Sequence, residues 1–90
     1  MKTFAVIGLG RFGAAVAEKL MTLGHSVLAI DESQQLVAQL ADRVTRAVVA
    51  DAREEDVLRS LGVQNVDCAV IAIGSDVAAS ILVTMLCKEL

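Results

Sequence analysis

Three glycines in the stretch "IGLGRFG" set the first question. Gly8, Gly10 and Gly13 are spaced as G-x-G-x-x-G, with Leu9, Arg11 and Phe12 between them. The loop follows the apolar run 4–7 and opens a segment rich in helix formers. In that setting the first glycine takes a tight turn, the second lets backbone approach a pyrophosphate, and the third lets helix pack on strand. The free N–H groups and dipole at the helix start then favour an anion. The plainer alternative is a strand–turn–helix corner in which the glycines only permit packing. Arg11, on the first turn, has a fork of donors that suits a terminal phosphate, unless it is a solvated surface arginine.

Other groups fall into place around this loop. Asp31 ends the apolar run 27–30, 18 residues beyond Gly13, with Glu32 after it. That is the slot of an acidic residue accepting hydrogen bonds from an adenosine ribose, and a carboxylate there repels a 2′-phosphate, disfavouring NADP. Its alternative is to cap or solvate the corner. Asp51 and Ala52 follow the run 47–50 and stand where the adenine side of a pocket would be. "DARE" also has the D-x-x-E form of a capping box, in which Asp51 simply starts the next helix. Ile73 closes the run 69–73, Gly74, Ser75 and Asp76 follow it, and all four face the glycine loop. Gly74 leaves space and Ser75 can donate to a phosphate or sugar, while Asp76 is also a natural N-cap.

Catalytic groups are missing from this edge. The single histidine, His25, starts the second run, at the amino ends of the strands, whereas ligands of such sheets bind at the carboxyl ends. Cys68 stands at the same wrong edge. Cys87 lies far along the last segment, as does Lys88, and the two cysteines lack metal-ligand spacing and read as free thiols. No acid or base for hydride transfer stands among the candidate residues, which favours a binding role over an enzymatic one.

The elements that must position these residues follow from the pattern. The runs "FAVI" (4–7), "VLAI" (27–30), "AVVA" (47–50) and "AVIAI" (69–73) are continuous and not alternating, as expected of strands buried on both faces. Their starts are 23, 20 and 22 residues apart, the length of a βα unit. Residues 11–23, 34–42, 52–61 and 76–90 read as the intervening and final helices. The expectation is a Rossmann-like parallel α/β sheet with helices on both faces and strand order 3-2-1-4. Fifth and sixth strands are absent and the last helix is apolar nearly all round, so the chain reads as a truncated form of that fold or as one that assembles with other chains.

Composition sets the outer limits. Ninety residues with 56% hydrophobic content make one small domain. A net charge of −3, eight scattered basic residues and two aromatics give no footprint for nucleic acid. No secretory leader is visible, and the longest apolar run is too short to span a bilayer.

Taken together, "FAVIGLGRFG", "GHSVLAID", "AVVADAREEDVLRSLGV" and "DCAVIAIGSD" resemble the RCK (KTN) domain over nearly the whole chain. The resemblance implies that residues 1–90 are the N-terminal part of a regulatory, non-catalytic nucleotide-binding domain of Ktr- or Trk-type potassium-uptake systems or potassium channels. It implies ATP/ADP or NAD(H) as ligand, with the Ktr-like "GLGRFG" tilting toward ATP/ADP. It places Gly8, Gly10 and Gly13 at the phosphates, Arg11 at the terminal one, Asp31 at the ribose, and Asp51 with Ala52 at the adenine. It further implies a membrane-embedded potassium-translocating partner, a homo-oligomer (a dimer or an octameric ring), and a cytoplasmic location at the inner face of the plasma membrane. The competing reading is the cofactor half of an NAD-dependent oxidoreductase.

Overall fold

A computed structural model of the chain describes residues 1–73. The expected helix over 76–90, and with it Gly74, Ser75, Asp76, Cys87 and Lys88, lies outside the described residues. The elements are β1 (Thr3–Ile7), α1 (Arg11–Thr22), β2 (Ser26–Asp31), α2 (Gln34–Leu40), β3 (Arg46–Val49), α3 (Glu55–Ser60), a 3-10 turn (Val63–Asn65) and β4 (Cys68–Ile71). The four strands form one parallel sheet in the order β3-β2-β1-β4, as the sequence pattern requires.

Each strand feeds two cores, which is why its apolar residues run without alternation. Val6, Val27 and Ala29 pack on one face with Ala17 of α1 and with Val37 and Leu40 of α2. Ile7, Leu28 and Ile30 pack on the other with Leu58 of α3 and with Val63. Helix α3 has six residues, too few to persist alone. Its anchor is Leu58, which has no exposed surface and contributes about 1.5–3 kcal/mol by burial.

The helix ends show how local chemistry sets boundaries. Gly24 (φ 88°) and Gly62 (φ 83°) take the left-handed conformation just past α1 and α3, where a Cβ would be strained. Ser33 caps α2, its Oγ accepting the Leu36 N–H at 3.3 Å. Helix α3, expected to begin at 52, begins at Glu55 with Glu54 as its N-cap. Asp51 therefore does not cap it, and the D-x-x-E box is not formed. The reason is local: the Asp51 carboxylate accepts the Arg53 backbone N–H and holds the Arg53 side chain, which turns residues 51–53 back on themselves.

Candidate functional site

The glycine loop lies at the carboxyl end of the sheet, where β1 stands between β2 and β4. The Gly8 N–H donates to the Ile30 carbonyl at 2.9 Å, and the Ala72 N–H donates to the Ile7 carbonyl at 2.8 Å. Gly8 has φ 99°, and a Cβ there would come within 2.7 Å of the Ala72 carbonyl oxygen. Gly13 has an ordinary helical backbone but presses on Gly8: its Cβ would sit 1.7 Å from the Gly8 oxygen. These two glycines are needed by the fold itself.

Gly10 is different. Its φ is −65° and its ψ −169°, open to any residue, and among the described residues a Cβ would meet nothing within 4 Å. Gly10 is the N-cap of α1, yet it offers no side chain to cap with. The first-turn N–H groups of a twelve-residue helix are thus left without a side-chain cap in front of the loop, with none of the described residues filling the space beside Gly10, which is the geometry an anionic phosphate group fits. Arg11 and Phe12 are exposed beside that space, Phe12 with 68% of its surface accessible.

Asp31 closes the loop from the β2 side. Its Oδ2 accepts the Leu9 N–H at 2.7 Å and its Oδ1 the Ser33 N–H at 2.8 Å. Asp31 is half-buried and Glu32 beside it is exposed. A carboxylate has about four acceptor sites, so two remain for hydroxyl donors such as those of a ribose. Further along the edge, Ala52 is buried in the core with Ile7 and Ile30, and Ile73 packs at the rim of that core, directly after the Ala72 that Gly8 faces.

Asp51 is already engaged. Arg53 donates from Nε to Oδ1 and from Nη2 to Oδ2, both at 3.0 Å, and its backbone N–H adds a third bond to Oδ1 at 3.0 Å. The guanidinium, followed by that N–H, holds the Asp51 carboxyl below its ordinary value of 3.8 against a small opposing effect of burial. A carboxyl whose folded pKa is depressed supports the fold above its unfolded pKa and loses that support as pH falls through the folded one. Replacing Arg53 with alanine is expected to return Asp51 toward 3.8 in a carboxyl-carbon NMR titration, and to make stability less steep in pH below about 4. An unmoved Asp51 titration would show that the pair does not form in solution. The effect on stability is small, because both side chains are more than a third exposed.

The remaining titratable candidates sit elsewhere. His25 accepts the Lys2 N–H at Nδ1 (3.1 Å) and meets Phe4 edge-on at 5.1 Å, at the amino edge of the sheet. Cys68 starts β4 at that same edge and is exposed. Among the described residues no three metal-ligating side chains come together, and no helix is long and apolar enough to cross a membrane. A groove of about 390 Å³ between α1 and α2 is lined by Leu36 and Leu40 and flanked by Arg43 and Glu18; it shares Leu9 with the glycine loop but lies to one side of it.

Two participants, Ser33 and Arg53, were not singled out from the sequence, and Leu9 was named only as part of the glycine loop. Ser33 carries a readable signal, a serine just before a helical run. Arg53 carries none, since a pair two residues apart has no periodic signature. The Leu9 N–H depends on a partner 22 residues away and is visible only once the strands are in register.

A parallel sheet in this strand order, with a glycine loop between β1 and an α1 whose N-terminus has no side-chain cap, defines a Rossmann-like nucleotide-binding fold. The chain belongs to the TrkA-N domain family, whose model matches residues 4–90. It is 48% identical to Ktr system potassium uptake protein A of Bacillus subtilis, over 99% of this chain and 40% of that protein. It is 47% identical to the protein of the same name from Vibrio alginolyticus, over 98% of this chain and 40% of that one. The chain thus spans about 40% of the length of these curated relatives. Among solved structures, the NAD(P)-binding domain of an exopolyphosphatase-related protein from Archaeoglobus fulgidus superposes with a TM-score of 0.85 at 29% identity, covering 99% of this chain and 66% of that one.

Proposed function

We propose that this chain is the nucleotide-sensing part of a regulatory subunit of a potassium-uptake system, binding an adenosine-diphosphate-containing ligand as a signal. The observation that carries the reading is Gly10, a glycine that none of the described residues requires, in front of helix N–H groups that carry no side-chain cap. The relatives named for Ktr potassium uptake supply the context. ATP/ADP or NAD(H) is the ligand class, with Asp31 on the ribose and against a 2′-phosphate. The partner is a membrane-embedded potassium-translocating subunit, contacted from the cytoplasmic side by a homo-oligomer of the full protein. Ligand exchange then acts by its different affinity for two states of that assembly.

Thermal unfolding with ATP, ADP, NAD, NADH and NADP tests the ligand. A ligand at a hundred times its Kd stabilises by about 2.7 kcal/mol, which raises the midpoint of a domain this size by about 10 °C or more. NADP is expected to give the smallest shift, and no shift with any of the five would overturn the reading. Arg11→Ala is expected to weaken ATP about tenfold and ADP no more than about twofold by calorimetry, the loss of one charge-assisted contact to the terminal phosphate. Equal losses would remove Arg11 from that role.

The oxidoreductase alternative draws on the NAD(P)-binding structural neighbour. Against it, the carboxyl edge of the described sheet has no histidine, tyrosine or lysine to move a proton, and its Asp31 and Asp51 carboxylates are held by backbone N–H groups and Arg53.

A further inference from the structure

Building on the nucleotide reading above, we infer that Asp31 is a positioning residue for the phosphate-binding loop, in addition to any contact it makes with a ribose. The Asp31 carboxylate bridges two loops, with the Leu9 N–H on Oδ2 at 2.7 Å and the Ser33 N–H on Oδ1 at 2.8 Å. Leu9 is held from both sides. Its side chain is 2% exposed, in the core with Ala17, Val37 and Leu40, and its N–H is turned onto β2 by the left-handed Gly8.

Gly10 follows directly, so the carboxylate determines where the Gly10 backbone and the start of α1 stand. On the other loop, Ser33 passes the constraint to α2 through its cap on the Leu36 N–H.

An asparagine cannot reproduce this. It has one acceptor oxygen for two N–H donors, and its amide would point a donor at a donor. One part-buried N–H then loses its partner, and the loop relaxes to find water. The phosphate end of the site consequently feels a change made at the ribose end, with no contact between that residue and the phosphates.

The test separates this role from a ribose contact. ADP and 2′,3′-dideoxy-ADP are titrated into the wild-type chain and into Asp31→Asn, and amide hydrogen exchange is followed without ligand. The dideoxy compound has no hydroxyl to offer Asp31. It is nevertheless expected to bind the variant at least tenfold more weakly than the wild type. The Leu9 amide should exchange at least tenfold faster in the variant, while the Val6 and Ala29 amides keep their protection and report an intact sheet. Equal affinity of the dideoxy compound for both proteins, with ADP weakened in the variant, would leave Asp31 a ribose contact alone and overturn the inference. A wild type that binds neither ADP nor NAD overturns the nucleotide reading and this inference with it. Should the variant fail to fold, the wild type still decides: a scalar coupling across the hydrogen bond from the Leu9 nitrogen to the Asp31 carboxyl carbon is expected, and its absence overturns the bridge.

Discussion

Gly13→Ala is expected to unfold the chain or cost it at least about 3 kcal/mol, the upper range for overpacking. The added Cβ would lie 1.7 Å from the Gly8 oxygen and 2.9 Å from the Gly8 carbonyl carbon. Both are backbone atoms, so no rotamer change relieves the clash. Gly8 cannot retreat, because its N–H is bonded to Ile30 and its own Cα faces the Ala72 carbonyl. Helix α1 would have to lift off β1, uncovering Ala17 and with it the core between α1 and the sheet. In a domain of this size 3 kcal/mol corresponds to a midpoint lowered by about 12 °C or more. Circular dichroism melts of the two proteins measure it, and a midpoint within about 2 °C of wild type would refute this account of the α1–β1 contact.

Gly10→Val should do the opposite. The position has ordinary backbone angles and, among the described residues, open space where the side chain would go, so stability is expected to change by no more than about 1 kcal/mol, the penalty for a poorer N-cap. Nucleotide affinity is expected to fall at least about a hundredfold, or about 2.8 kcal/mol, because the isopropyl group would occupy the space through which a pyrophosphate meets the helix N–H groups. Calorimetry with ADP and NAD measures the loss. Unchanged affinity would mean that the nucleotide docks elsewhere, and that the open space at Gly10 has no bearing on binding. On these expectations the two glycines, three residues apart in one motif, separate what the fold requires from what the proposed ligand requires.

Much of the fold, and the edge that carries the candidate site, is readable from spacing. The G-x-G-x-x-G turn, the aspartate 18 residues later and the continuous apolar runs predict the sheet order and the edge where ligands gather, and the structure has that order. The difference is local, at the start of α3, where the capping box is one of two readings the sequence leaves open for Asp51. Residues 51–54 satisfy the pattern of a capping box, but Arg53, with three donors for the Asp51 carboxylate, forms a turn there in preference to a first helical turn. Asp31 was legible as an acceptor at the end of β2; that two backbone N–H groups already use it was not.

The sequence by itself determined the element order, the helix-ending glycines, the loop, and the placement of His25 and Cys68 away from it. Those depend on residue types within a few positions of one another, where turn chemistry and hydrophobic period act. Only the tertiary structure decided which glycines are structural and which leaves room, where α3 begins, and what the Asp31 and Asp51 carboxylates hold. A clash such as Gly13 on Gly8, or a bond such as Leu9 to Asp31, depends on distances between elements, and those exist only when α1 has docked and β1 and β2 have come into register.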